Sequence, residues 1–291
     1  MKIYPTEQIL KYWSENYYNN FDLFFVKDIP FENEDVVITL KDAFKTTSSF
    51  NIDTNNLYEF WNLSDYNYVI QASKGWFENL NRDSKTYILQ EQERVNNPLF
   101  LEGNLITSQK WSQLTTNKQR QFFQNRVDRY CDNHVTQHST LQLPNHLSSI
   151  VSTFPKHQGS NCLSTVLYAI TSDKNILQQW IKEDAFLTSL KSLNYELVSE
   201  GSQNGDVIVY LKNNAVVHAA YQIDDGLFIN KNGQTIFNPY KIVTKSELDN
   251  EWGNYQELYY RKDELKFWVF LLKFLEIIYF VESFFYILLD S

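Results

Sequence analysis

Cys162 follows the turn-forming run Gly159-Ser160-Asn161 and opens a stretch in which Leu163, Val166, Leu167 and Ile170 recur at helical spacing. A cysteine at a helix start meets unpaired amide N–H groups and the positive end of the helix dipole. Both favour the thiolate, so its pKa is expected below the free value of about 8.5. The same N–H groups can receive an oxyanion formed when the sulfur attacks a carbonyl. Such an attack needs an imidazole that takes the thiol proton and hands it to the leaving group. His218 is the candidate, in the middle of Ala215-Val216-Val217-His218-Ala219-Ala220-Tyr221, where small neighbours leave room beside the ring. A polar residue from the next strand should orient the imidazole.

Hairpin register decides which residue that is. A three-residue loop, Asp224 to Gly226, closes on Ile223 and Leu227 and sets Asn232 opposite His218 and Asn230 opposite Ala220, both on the His218 face. A two-residue Asp225-Gly226 turn would put Asn230 on the other face. Spacing alone leaves Asn230 and Asn232 both open. His157, five residues before Cys162, is a candidate for contact with substrate or an oxyanion, set against a loop histidine without a role. Cys131, His134 and His138 have the i, i+3, i+7 spacing of three ligands on one helical face. Cys131 and His134 also fall on the apolar stripe of that helix, so the core reading is preferred. Neither a metal nor a cofactor is expected.

The elements that must position these residues divide at about residue 150. Residues 1–150 read as mostly helical. Thr6 caps a helix carrying Ile9, Leu10, Trp13 and Tyr17. Asp83 caps a second helix that runs to about Asn96, and a longer one covers Asn117 to His134. Two β-prone runs, Phe21–Val26 and Val36–Leu40, are placed to pair, and Ser139 to Pro155 reads as a linker. Beyond it come the Cys162 helix and a helix from about Asn175 to Leu193. Three strand-like segments follow, Asp206–Leu211, Ala215–Ile223 and Leu227–Lys231, joined by Asn- and Gly-bearing turns. Helices followed by an antiparallel meander make an α+β arrangement.

Residues 155–263 resemble the NlpC-type cysteine peptidases of the papain-like superfamily. Asn161-Cys162-Leu163-Ser164-Thr165-Val166-Leu167-Tyr168-Ala169 is similar to their cysteine helix. Gly205-Asp206-Val207-Ile208-Val209-Tyr210 is similar to their Gly-Asp-led strand, and His218 to Asn230 to their histidine strand, turn and third polar residue. In that family the third residue stands twelve positions after the histidine, which selects Asn230 over Asn232. The resemblance implies a papain-like α+β domain, a Cys162–His218–Asn230 triad and cleavage of amide bonds, classically in peptidoglycan stem peptides. Leu163-Ser164 stands where the family has Ser-Gly, Asn161 where it has Asp, and Ala219-Ala220 displaces a Gly.

The expected activity is therefore cysteine-dependent hydrolysis of a peptide or other amide-containing substrate. The alternatives are a thioester-forming acyltransferase of the same fold and a catalytically inactive peptide-binding module. A net charge of −9 without a basic window argues against nucleic acid as the partner. The aromatic share of 16% means that Phe, Tyr and Trp must supply much of the core volume. Two cysteines make no disulfide scaffold, and the start lacks a basic, apolar leader, so the expected compartment is the cytoplasm. An excess of Lys over Arg and many Asn residues suggest an AT-rich bacterial genome. From Leu265 onward the chain is very apolar, long enough to span a bilayer but carrying internal charges that cost about 2.5–3.5 kcal/mol each at its centre. Residues 265–291 are thus expected as an amphipathic helix that packs on the protein or contacts a membrane surface, ahead of a tail anchor or a read-through end.

Overall fold

The computed structural model describes residues 1–29, 35–136, 141–199 and 203–263. The protein is mixed α+β, and it divides into two units that are each discontinuous in sequence. The first holds Met1–Val135 with Ser152–Ser160 and Asn232–Pro239; the second holds 136–151, 161–231 and the chain from Tyr240.

In the first unit, Phe21–Val26 and Val36–Leu40 are not neighbours. Tyr68–Ser73, unnoticed in the sequence, lies between them and pairs antiparallel with both. Five of the six residues of Phe21–Val26 are buried, because helices cover both faces of so small a sheet. The core is aromatic, with Trp13, Phe24, Phe25, Phe122 and Phe123 joined by Phe237 from the unit's last segment. The Glu7–Asn16 helix is capped by Thr6, whose hydroxyl accepts from the Ile9 N–H. The next long helix, Arg82–Arg94, is capped by Asn81 rather than Asp83. Asn81 Oδ1 accepts from the Ser84 N–H, and Asp83 sits in the first turn, where its charge suits the dipole. The third long helix, Thr116–Tyr130, stops short of the expected end. Cys131 adopts a left-handed conformation (φ 52°) that terminates it, and His134 lies beyond in a bridge to Lys2. Cys131 and His134 therefore share no helical stripe. His138 lies outside the described residues, among which no metal-holding group of His, Cys, Asp and Glu occurs.

The second unit is built on a six-stranded antiparallel sheet whose central strands are Val207–Lys212 and Ala215–Asp224. Leu227–Asn230 and Lys241–Thr244 continue it on one side, Gln256–Lys262 and then Tyr195–Val198 on the other. The Cys162–Thr171 and Glu183–Ser192 helices cover one face, where Val166, Phe186 and Leu190 meet Val207, Val209 and Ala219. The Lys245–Trp252 helix covers the other, over Ile208, Tyr210, Ala220 and Phe228. The expected Asn175–Leu193 helix is broken into Lys174–Leu177 and Glu183–Ser192. Between them the Ile181 carbonyl accepts from the Asn161 side-chain amide at 2.8 Å, a bond it could not make inside a continuous helix. Gly205 needs its positive φ of 92° to turn the chain into the first central strand. Asp206 is buried there, accepting from the Gln203 N–H and from Arg261 Nε and Nη2, each at 2.8 Å. That gives the Gly-Asp pair a structural task.

Among the described residues no helix is long and apolar enough to cross a membrane. The apolar stretch 265–291, expected as an amphipathic helix or anchor, lies outside them.

Candidate active site

Cys162 is the first residue of its helix. Asn161 Oδ1 accepts from the Ser164 N–H while Ser164 Oγ accepts from the Asn161 N–H, both at 2.9 Å, a reciprocal capping box that fixes how the chain enters the helix. The backbone amides of Ala219, Leu163 and Cys162 itself favour the thiolate, each against the larger effect of burial. Ala219 belongs to the histidine strand, and strand geometry explains why its N–H is available. Gln222 N–H points to the first central strand, where it donates to Asp206. Alternation then turns the Tyr221 and Ala219 N–H groups toward the Leu227–Asn230 strand. Pairing on that side ends at Tyr221 opposite Ile229, so the next N–H, that of Ala219, faces the place where the two strands part. Cys162 and Ala219 share one packed cluster on one face of that strand.

His218 is 1% exposed and stands opposite Tyr210. Its Nε2 donates to Asn230 Oδ1 at 2.8 Å, which leaves Nδ1 as the unprotonated nitrogen of the neutral ring. Trp252 lies flat against that ring, centroids 4.2 Å apart and planes 2° from parallel. Burial lowers the His218 pKa to about 3, against the smaller opposite pull of Asn230. The hairpin that brings the pair together departs from both turns weighed in the sequence. Asp224 pairs with Leu227 across a two-residue Asp225-Gly226 turn, yet Gln222 pairs with Phe228 and Tyr221 with Ile229, so Ile223 is an extra, bulged residue. The bulge changes the parity and returns Asn230 to the His218 face. Asn232 belongs to the first unit, where its amide donates to Asp132 Oδ1 at 3.3 Å.

Of the three candidate catalytic residues, the fold joins His218 and Asn230 directly. No hydrogen bond joins the Cys162 sulfur to the His218 ring. The Cys162 side chain packs on the Ala219 face of the strand, and the imidazole stands on the other face against Trp252. The expected low thiol pKa is also corrected. Burial pushes the Cys162 thiol up, and the pull of the Ala219 and Leu163 N–H groups and of the Lys231 charge does not fully offset it. His157 lies in the first unit, where Tyr12 Oη is 3.0 Å from its Nδ1 and the rings meet edge to face. It lines a cavity of about 220 Å³ with Tyr12, Asp53 and Lys156.

Two residues went unnoticed in the sequence. Trp252 has no signal there, because only the fold carries its helix back over the histidine. Lys231 is fully buried just past the end of the Leu227–Asn230 strand, a burial that the sequence around it does not signal. No family model matches the chain, and no match was found among curated proteins or solved structures.

Proposed function

We propose that the chain is a cysteine-dependent hydrolase of amide bonds, with a papain-like second unit in which Cys162 is the nucleophile, His218 the proton carrier and Asn230 the residue that orients it. The observation that carries this reading is the parting of the histidine and asparagine strands. The Cys162 side chain packs on the Ala219 face of the histidine strand, and on the other face Asn230 holds Nε2 and leaves Nδ1 to accept a proton. In the reaction the His218 ring must first turn from the Trp252 face toward the sulfur; the Cys162 proton then passes to Nδ1 as the sulfur bonds to the substrate carbonyl carbon, and N–H groups at the helix start support the oxyanion. Collapse breaks the C–N bond, and the leaving amine takes the proton from Nδ1. Water then attacks the thioester, again giving a proton to His218, and the acid product leaves as the thiol re-forms. Burial keeps both groups neutral at rest, so ionisation belongs to the substrate-bound state.

The test is trapping. Incubation with a mixture of peptide amides should leave an acyl adduct on Cys162, found by mass spectrometry of the intact and digested protein and absent from Cys162→Ala. Adding an amine acceptor separates hydrolysis from acyl transfer. A second reading, a peptide-binding module without turnover, draws support from the burial of His218 and the missing sulfur–imidazole bond. It requires peptide binding that Cys162→Ala leaves intact and no adduct on the wild-type protein.

A further inference from the structure

We infer that the cavity of about 220 Å³ in the first unit binds a free α-amino acid, with Lys156 taking the carboxylate and Asp53 the ammonium. The inference stands apart from the reading of Cys162, because the residues that line the cavity all belong to the first unit. Three segments build it, and hydrogen bonds tie them together. The Glu7–Asn16 helix supplies Tyr12, and its Trp13 Nε1 donates to the Pro155 carbonyl at 3.1 Å. That bond fastens the segment that brings Lys156 and His157. The Ile52–Tyr58 helix supplies Asp53, and the amide of its buried Asn56 donates to Gln158 Oε1 at 3.2 Å. The walls are therefore set before a ligand arrives, which keeps the ordering cost of binding low.

Two opposite charges line this small space without meeting. Lys156 Nζ lies 4.2 Å from the centroid of the Tyr12 ring, a cation–π contact rather than an ion pair. Neither Lys156 nor Asp53 has a salt-bridge partner among the described residues. His157 is fastened by Tyr12 Oη at 3.0 Å from its Nδ1. Burial, helped by the Lys156 charge, lowers its pKa from the usual 6.5, so the ring adds no standing charge. The cavity thus presents one cation and one anion, and the ligand that complements it carries one of each a short distance apart. A simple carboxylate or a simple amine meets only half of that demand. Tyr17 and Ile236 supply apolar wall, which suits an uncharged side chain. A cavity of about 150 Å³ holds benzene, so this one has room for roughly nine non-hydrogen atoms, the size of leucine.

Thermal unfolding of the intact protein with each L-amino acid of uncharged side chain tests this, followed by isothermal titration calorimetry of the one that stabilises most. At least one should raise the melting temperature and bind at one site per chain. Its N-acetyl derivative lacks the ammonium and its amide lacks the carboxylate, and each should bind about tenfold or more weakly. Asp53→Asn should erase the advantage of the free amino acid over the N-acetyl form, and Lys156→Gln its advantage over the amide. Lys156→Arg should keep both, and Lys11→Gln, at a lysine outside the cavity, should change neither. Asp53 and Lys156 are exposed residues, so these substitutions leave the fold intact. Failure of the whole set to bind overturns the inference. Equal binding of the acetyl or amide derivative also overturns it, as does an affinity that neither neutral substitution moves.

Discussion

The two cysteines of this chain occupy opposite ends of helices, in different units. Cys131 terminates the Thr116–Tyr130 helix in the first unit, exposed, with its sulfur donating to the Asp128 carbonyl at 3.3 Å. Cys162 begins a helix in the second unit, 9% exposed, where nearby backbone amides favour the thiolate and burial opposes it. A helix end offers carbonyls and negative potential; a helix start offers amides and positive potential. The same side chain is thus a terminator in one place and a candidate nucleophile in the other. The polar groups around them differ in kind as well. In the first unit, buried Glu59 accepts from Arg126 and Tyr130, and Asp22 accepts from both the Ser108 N–H and hydroxyl at 2.7 Å, so each charge is tied into the fold. In the second, His218 spends one nitrogen on Asn230 and keeps the other.

Removing each sulfur is the strongest way to break the comparison. Cys162→Ala should lower amide-cleaving turnover on the order of 10³-fold or more, as loss of a nucleophile does, while Cys131→Ala stays within about twofold. Equal losses in a steady-state peptide assay would end the distinction. Next in size, His218→Ala should cost about 10²- to 10⁴-fold in kcat, Asn230→Ala less, and Asn232→Ala nothing measurable. A kcat loss in Asn232→Ala that matched Asn230→Ala would contradict the register seen here.

The third expectation concerns pH, and the two units should respond with opposite signs. His218 has a folded pKa of about 3, below its unfolded value near 6.5, because burial disfavours the charged ring. Its contribution is therefore fully present above about pH 6.5 and is lost as pH falls toward 3, on the order of 2–3 kcal/mol by pH 4.5. Asp22 is raised to about 6 by burial, so its contribution is present below about pH 4 and is lost as pH rises through 6. Urea unfolding at pH 4.5 and 7 should show that His218→Gln removes the acid-side loss. Asp22→Asn, which keeps an acceptor for Ser108, should instead gain stability relative to wild type at pH 7. Parallel pH profiles for both variants would be the contrary result.

The smallest effect comes from backbone conformation. Cys131→Gly should raise stability by up to about 1 kcal/mol, because glycine has no penalty at a left-handed helix end. Asn161→Ala should lower it by about 1 kcal/mol through loss of the capping box. Differential scanning calorimetry of the two variants, shifting the melting temperature in opposite directions, checks both.

Much of the second unit was legible in its residues. The three central strands, the turns between them and the helix that starts at Cys162 follow from alternation, from Asn and Gly at the turns and from apolar periodicity. Local patterns have local causes. What stayed hidden depends on partners distant in sequence. Tyr68–Ser73 separates two strands that look like a hairpin. The apolar face of 175–193 reads as one helix until Asn161 is seen bonded to Ile181. A helix start is visible in sequence and the degree of burial is not, so the Cys162 thiol stands higher than its position at the helix start implies. Trp252 reaches His218 only after a strand and a helix have turned back over the sheet.

The bulge at Ile223 has a consequence for how the hairpin can change its length. It is one residue of slack. A deletion of Ile223 leaves Gln222 opposite Phe228 and Tyr221 opposite Ile229, and a deletion inside the turn can be absorbed by drawing Ile223 into the new loop. In either case Asn230 stays on the His218 face. An insertion finds no such reserve, since a second extra residue must enlarge the loop or reverse the faces. Drift in this loop is therefore asymmetric: between histidine and asparagine, the chain tolerates becoming one residue shorter more readily than one residue longer.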